Sequence, residues 1–135
     1  MTSPERTPLS RPSHVLVVDG DRRVRQSVSD LIAAAEDLEL TDAVADTSSA
    51  LASLALRPAH IVLIDPHLPD EAAGLALMET LRDDRPDLAL VVMSCSARVG
   101  LRSMALGAVA FVPKTGDPES LVDVLRRASD GRTPH

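Results

Sequence analysis

The sequence predicts an α/β fold, a three-layer sandwich in which a five-stranded parallel sheet lies between helices. Three apolar segments lack any alternation of polar and apolar residues, which is typical of parallel strands covered on both faces; they are 14–19, 60–65 and 88–93. Segments with apolar residues at helical spacing separate these runs. Short connections between strands and helices in alternation favour right-handed crossovers, and therefore parallel pairing.

The chain begins with residues 1–13, which carry three prolines among polar residues and are expected to form a flexible tail. The first strand, 14–19, is apolar until its last residue, Asp19. Asp21 can then cap a helix whose apolar positions are Val24, Val28, Leu31, Ile32 and Ala35.

The next segment, 38–44, alternates loosely, as a half-buried edge strand does. Thr47 or Ser48 can cap the short helix that follows, and Arg57-Pro58 ends it. Four consecutive aliphatic residues then form a third strand within 60–65.

That third strand ends in Asp65, and a loop is predicted over 66–73. Gly74 is expected to open a helix with Leu75, Met78 and Leu81 on one face. The fourth strand, 88–93, is closed by Ser94.

A short helix is predicted over 98–106, with Gly107 just after its end, where glycine is favoured. The last strand covers 108–112, and Lys114 follows it. Lys114 is thus placed at the carboxyl end of a strand, as Asp19 and Asp65 are.

Asp117-Pro118 supplies a cap and a proline at the first position of the final helix. Its apolar positions are Leu121, Val122, Leu125 and Ala128, and Asp130-Gly131 is expected to end it. The predicted domain therefore covers 14–131, with 132–135 as a second tail.

The strand order that fits best is the flavodoxin-like order 2-1-3-4-5, because the most apolar strands would be interior. In that order the switch point lies between the first and third strands. Asp19 and Asp65 end those strands, and Ser94 and Lys114 end two others at the same edge. We therefore expect all four side chains to face one crevice.

Adjacent carboxylates favour a bound cation, and Mg²⁺ prefers one or two carboxylates together with phosphate oxygens and water. A lysine supplies a charge for a phosphoryl oxygen, and a serine hydroxyl supplies a hydrogen bond. The set predicts a phosphoryl site with a nucleophilic aspartate, a metal-holding acid, a cation and a hydroxyl.

At these residues the chain resembles the receiver domain of bacterial two-component response regulators. The resemblance covers about residues 14–131 and rests on five segments in order: Val17-Val18-Asp19, Ile64-Asp65 with Pro69, Val92-Met93-Ser94, Gly107-Ala108, and Phe111-Val112-Pro113-Lys114. It implies that Asp65 accepts a phosphoryl group from a histidine kinase. It also implies that Asp19, Asp65 and the backbone carbonyl of His67 hold Mg²⁺, and that Lys114 pairs with the phosphoryl group.

The resemblance further implies a conformational switch, in which Ser94 moves to contact the phosphoryl group and Phe111 rotates between exposed and buried positions. Such domains dimerise through their last strands and helices. The segments Lys114-Thr115 and Pro118-Glu119-Ser120-Leu121 are similar to those of receivers that precede a helix-turn-helix DNA-binding domain. Whether the chain is a stand-alone receiver or a fragment of a DNA-binding regulator stays open at this point.

The sequence departs from the family pattern after the first strand, where Gly20 replaces the second of two adjacent acids. Asp21 is a candidate replacement ligand but can instead cap the helix. The loop after Asp65 also carries an insertion within 70–73. Two hypotheses follow: a phosphorylated receiver, or an atypical receiver regulated by protein contact, dimerisation or another ligand.

Composition restricts the alternatives. The net charge of −6 argues against direct nucleic-acid binding by this chain, and no apolar run is long enough to span a membrane. Without a secretory signal pattern, a cytoplasmic location is expected. An enzyme of the aspartyl-phosphate phosphatase type would need an acid where His67 stands, and a flavodoxin would need a phosphate loop and a Trp or Tyr. We therefore expect a signalling protein with a kinase or other signalling partner, not an enzyme.

Overall fold

The computed structural model describes residues 12–132, with side-chain surroundings through residue 130. Its parallel sheet has the order β2-β1-β3-β4-β5, as the sequence predicts. The strands are β1 (Ser13–Val18), β2 (Leu38–Val44), β3 (Ile61–Ile64), β4 (Ala89–Ser94) and β5 (Ala110–Pro113). In register, Val18 lies beside Ile64 and Ile64 lies beside Val92, so the carboxyl ends of β1 and β3 are level, and β4 continues past them to Ser94.

Five helices cover the two faces of the sheet: α1 (Arg22–Ala34), α2 (Thr47–Leu56), α3 (Glu71–Asp84), α4 (Ala97–Ala105) and α5 (Pro118–Arg132). Alternate strand residues point to opposite faces. In β1, Val15 and Val17 pack with Ile32 and Leu125 of α1 and α5. Leu16 and Val18 belong to the opposite core, with residues of α2 and α3 such as Leu54 and Met78. Both layers are aliphatic, which explains how a chain with a single aromatic residue builds a core.

The predicted start of α3 is wrong. The helix begins at Glu71 and not at Gly74, because the Asp70 side chain accepts a hydrogen bond from the Ala73 amide and caps it. Gly74 lies inside the first turn, where a Cβ would come within 1.6 Å of the Pro66 carbonyl oxygen. Its role is therefore close contact with the loop that follows β3.

At the other helix ends, local sequence signals predicted some of the capping residues correctly and others not. Asp21 caps α1 as predicted, and Gly107 follows α4 with a φ of 109°. The predicted cap of α2, Thr47 or Ser48, is wrong: the cap is Asp46, whose side chain accepts a hydrogen bond from the Ser49 amide. That hydrogen bond lowers the pKa of Asp46.

The ends of the domain differ slightly from the prediction. β1 begins at Ser13, and α5 continues to Arg132, past Asp130-Gly131. The remainder of the predicted tails, residues 1–11 and 133–135, lies outside the described residues. No helix within 12–132 is long and apolar enough to cross a membrane.

Candidate functional site

The two aspartates predicted to meet at the crevice follow paired strand ends. Asp19 comes after Val18 and Asp65 comes after Ile64, and these two residues are neighbours in the sheet. The Asp65 amide donates to the Val18 carbonyl at 2.9 Å, which extends the parallel ladder up to the crevice. Asp19 is 1% exposed and Asp65 is 9% exposed. Strand register therefore brings together two acids that are remote in sequence.

Lys114 joins them. Its Nζ atom lies 2.6 Å from Asp65 Oδ2 and 3.0 Å from Asp19 Oδ2. The lysine is held there because β5 pairs with β4, and the Lys114 amide donates to the Ser94 carbonyl at 3.1 Å. Burial by itself would lower the pKa of Lys114, but its hydrogen bond to Asp65 and the negative charge of Asp19 beside it outweigh burial and raise the pKa. The ammonium is thus kept charged.

Asp19 is the most constrained member of the site. Its Oδ1 accepts a hydrogen bond from the Asp21 amide at 2.8 Å. Its Oδ2 is buried and receives no hydrogen bond of good angle, although Lys114 Nζ is 3.0 Å away. Burial raises the pKa of Asp19 despite that cation. One carboxylate oxygen is therefore available for a stronger positive partner.

Asp65 presents its two oxygens differently. Oδ1 accepts from the His67 amide at 2.9 Å, and Oδ2 accepts from Lys114. The side chain of His67 is exposed, so the contribution of this residue at the site comes from its backbone.

Ser94 and Phe111, the two predicted switch residues, lie on adjacent strands. Ser94 is 2% exposed, and its Oγ accepts from the Ser96 amide at 3.0 Å. No hydrogen bond joins the Ser94 hydroxyl to Asp65 or Lys114 in the part of the chain that the structure describes. Phe111 is half-buried against the core under α2 and α3, and its ring lies beside Gly100 of α4.

The space that Phe111 occupies depends on Gly100 of α4. A Cβ at Gly100 would lie 2.6 Å from Phe111 Cδ1, closer than non-bonded atoms approach. The missing side chain therefore lets the ring pack inward.

The additional acids near the crevice are engaged elsewhere. Asp21 is exposed and its Oδ1 accepts from the Arg23 amide as the α1 cap. Asp70 caps α3. Glu71 accepts from Arg98 at 3.3 Å and from Arg102 at 2.9 Å, which ties α3 to α4. Among residues 12–132, no three histidine, cysteine or acidic side chains are grouped as a metal site.

Arg25 is a member of this region that sequence reasoning missed. Its Nη1 donates to the Asp19 carbonyl at 2.8 Å, and so links the first turn of α1 to the end of β1. Its position one turn after the Asp21 cap places it near the end of β1. Only the structure, which fixes the rotation of α1 about its axis, shows that the side chain points toward the strand.

The donor set fits Mg²⁺. Mg²⁺ commonly takes one or two carboxylates and fills its other positions with water and phosphate oxygens. Asp19 offers a buried oxygen without a hydrogen bond, and Asp65 lies beside the same lysine. The loss of an acid at Gly20 reduces the protein ligands without removing this pair.

Residues 15–126 match the family described as the response regulator receiver domain. The chain is 30% identical over 103 residues to protein-glutamate methylesterase/protein-glutamine glutaminase 1 of Chromobacterium violaceum, covering 74% of this chain and 28% of that protein. It is 30% identical over 125 residues to the DNA-binding transcriptional regulator NtrC of Azospirillum brasilense, covering 89% of this chain and 25% of that protein.

A solved structure of a CheY-like receiver domain protein from Methanospirillum hungatei JF-1 is similar, with a TM-score of 0.79 at 24% identity over 90% of this chain and 96% of that chain. The chain spans about a quarter of the length of the two curated relatives. Its matched region is a regulatory unit and not an enzymatic one, whereas the methylesterase as a whole protein is an enzyme. The chain belongs to the receiver domain family of response regulators.

Proposed function

We propose that Asp65 accepts a phosphoryl group from the phosphohistidine of a sensor histidine kinase. The observation that carries this proposal is the position of Lys114 Nζ, 2.6 Å from Asp65 Oδ2 and 3.0 Å from Asp19 Oδ2. A carboxylate at the mouth of a crevice, with a fixed cation beside it and a second acid behind it, suits the addition and retention of a dianionic group.

In the reaction a carboxylate oxygen of Asp65 attacks phosphorus, the new O–P bond forms and the P–N bond to the kinase imidazole breaks. The imidazole keeps the electron pair and takes a proton from solvent. Lys114 stabilises the charge on the phosphoryl oxygens, because the carboxylates keep it protonated. The His67 amide, which donates to Asp65 Oδ1 at 2.9 Å, orients the carboxylate.

Mg²⁺ would be held by Asp19, Asp65 and the backbone carbonyl of His67, with Asp21 as an additional ligand only if it leaves its capping position. When bound, the ion neutralises negative charge on the transferring phosphoryl group. Asp19 supports this assignment because its buried Oδ2 receives no hydrogen bond.

The switch that follows would use Ser94 and Phe111. Ser94 would exchange its bond from the Ser96 amide for a bond to the phosphoryl group, and Phe111 would move with it. Gly100→Ala tests the role of the ring, since the added methyl group would meet Phe111 Cδ1 at 2.6 Å. We expect the variant to turn Phe111 outward without phosphorylation, seen as loss of ring contacts to α4 by NMR. A ring that stays inward would contradict this.

The output would be a phosphorylation-dependent homodimer through α4, β5 and α5, within a receiver unit of residues 14–131. Similarity to NtrC suggests a transcriptional role through a DNA-binding domain outside this chain. The net charge of −6 disfavours direct nucleic-acid binding by the receiver itself.

Intact-mass spectrometry after incubation with acetyl phosphate and Mg²⁺ tests the proposal. The wild-type chain should gain the mass of one phosphoryl group, hydroxylamine should remove it, and Asp65→Asn should not acquire it. Asp30→Asn, at an exposed acid of α1, is the matched control and should be phosphorylated like the wild type. An adduct that persists in Asp65→Asn, or a wild-type chain that acquires none from acetyl phosphate or a kinase, would contradict the assignment.

A further inference from the structure

Helix α4 is tied at its start to the strand that carries Ser94. The Ser94 hydroxyl oxygen accepts a hydrogen bond from the Ser96 amide at 3.0 Å. The Ser96 hydroxyl oxygen accepts from the Val99 amide at 3.2 Å and caps the helix. If the Ser94 hydroxyl turned toward Asp65, the Ser96 amide would lose its acceptor. The start of α4 is therefore the part of the helix that a change at Asp65 would release.

Glu71, the first residue of α3, holds the same part of α4 from the side. Its Oε1 accepts from Arg98 Nη2 at 3.3 Å, and its Oε2 accepts from Arg102 Nη1 at 2.9 Å. The Glu71 side chain is 23% exposed, so most of its surface is withdrawn from solvent. Both carboxylate oxygens are thus used to join the beginning of α3 to successive turns of α4.

Helix α4 depends on this acid for its charge balance. Arg98 lies in the first turn, where the helix dipole disfavours a cation, and α4 has no acidic residue in that turn. Arg98 and Arg102 also have the i, i+4 spacing at which like charges repel along a helix. The Glu71 carboxylate offsets both effects, because it places a negative charge beside the two guanidinium groups.

The opposite end of α4 is attached to α3 in a different way. Arg82, in the last turn of α3, donates from Nη1 to the Leu106 carbonyl at 3.1 Å. That contact involves a neutral backbone group and lies at the end of α4 remote from Ser94. The start of α4 can therefore move about an anchored end, and the Glu71 ion pairs oppose this movement.

We propose that Glu71 is a latch that holds the start of α4 in its position before phosphorylation and so restrains the switch at Ser94. The inference rests on the proposed function, because it concerns regulation of the same site. Asp70 and Glu71 lie in the insertion that follows Asp65, and they have separate tasks. Asp70 caps α3 and so fixes where the helix begins, and Glu71 reaches across to α4. A chain without the Glu71 carboxylate should release α4 more readily.

Hydrogen exchange in the unphosphorylated chain, read by NMR, measures how firmly α4 is held. The informative amides are those of Val99 and Gly100, which both donate to Ser96. Glu71→Gln should raise their exchange rates about two- to fivefold, the factor that partly exposed ion pairs contribute. Glu79→Gln makes the same charge change at an exposed position of α3 and should leave the rates unchanged. Salt at about 0.5 M should bring the wild type close to Glu71→Gln, because it screens the ion pairs.

Beryllofluoride with Mg²⁺, a mimic of the phosphoryl group on an aspartate, measures the effect on the switch. If binding requires the released position of α4, loosening the latch lowers the apparent dissociation constant by the factor by which that position gains population. Glu71→Gln should therefore bind about two- to fivefold tighter than the wild type. Arg102→Gln should act in the same direction, and the double variant should match Glu71→Gln alone, because both changes remove the same interaction.

Equal or weaker binding by Glu71→Gln, or an equal effect of Glu79→Gln in either measurement, would overturn the latch. A double variant whose two effects simply add would overturn it as well, since Glu71 and Arg102 would then act separately. A wild-type chain that neither binds beryllofluoride nor gains a phosphoryl group contradicts the proposed function instead, and amide exchange then decides alone whether Glu71 holds α4.

Discussion

Replacing Asp19 by asparagine is expected to raise the free energy of unfolding when no divalent cation is present. Asp19 is 1% exposed, and its Oδ2 receives no hydrogen bond of good angle. Asparagine removes this buried charge and keeps an oxygen that can accept from the Asp21 amide, a bond of 2.8 Å in the wild type. The site would thus lose a carboxylate that is useful for function and costly for folding.

The magnitude follows from two opposing contributions. Burying a carboxylate with incomplete hydrogen bonding costs several kcal/mol, and the attraction of Lys114 at 3.0 Å offsets part of that cost. Lys114 keeps Asp65 at 2.6 Å after the substitution, so the cation is not left alone. We expect a net gain of about 1–2 kcal/mol in the variant.

The pH dependence has a definite sign. Burial raises the pKa of Asp19 above its ordinary value of 3.8, so the native state binds this proton more tightly than the unfolded chain does. Native stability therefore falls as pH rises from 3.8 through the native pKa. Because asparagine does not titrate, the advantage of the variant should vanish below pH 3.8, grow with pH and be complete above the native pKa of Asp19.

Urea unfolding between about pH 3 and pH 8, with EDTA or with Mg²⁺, measures both effects. Mg²⁺ at ten times its dissociation constant should stabilise the wild type by about 1.4 kcal/mol and the variant by less. Asp30→Asn, at an exposed site, should shift the unfolding free energy by less than about 0.5 kcal/mol. If Asp19→Asn destabilises the chain in EDTA, or if Mg²⁺ stabilises both proteins equally, the reasoning is refuted.

Two pairs of substitutions, each a test and its control, examine the packing by urea unfolding. Gly74→Ala should cost about 3 kcal/mol or more, because the new Cβ would come within 1.6 Å of the Pro66 carbonyl oxygen. Gly20→Ala, whose nearest contact would be 3.9 Å away, is its control and should change the unfolding free energy by less than about 0.5 kcal/mol. Leu125→Ala, at a fully buried position, should cost about 2–5 kcal/mol, whereas Leu56→Ala, 82% exposed, should cost little. Equal losses within either pair would contradict the packing described.

Much of the fold was predictable because its signals are local. Unbroken apolar runs indicated strands covered on both faces, and helical spacing indicated the helices between them. The cap at Asp21 and the glycine at 107 act through their own backbone neighbours, so their roles were predicted correctly. The start of α3 was not, because the function of Gly74 lies in its contact with Pro66 and not in its own conformation.

Some residues of the candidate site could also be predicted from the sequence, and others could not. Asp19 and Asp65 follow apolar strands, and the parallel topology places such residues at one edge. The sequence could not show that Arg25 contacts the Asp19 carbonyl, or that Glu71 joins Arg98 and Arg102. Each of these depends on the rotation of a helix about its axis.

From its residue pattern alone, then, this protein was determined to be a parallel α/β domain with two acids, a serine and a lysine at one sheet edge. Hydrophobic periodicity and strand-end chemistry are properties of neighbouring residues and are written in the chain itself. Only the folded chain showed one lysine within 3.0 Å of both carboxylates, an Asp19 oxygen without a hydrogen bond, and a Glu71 carboxylate shared by two arginines of α4. Distances and exposure arise from how distant segments pack, and no local pattern specifies them.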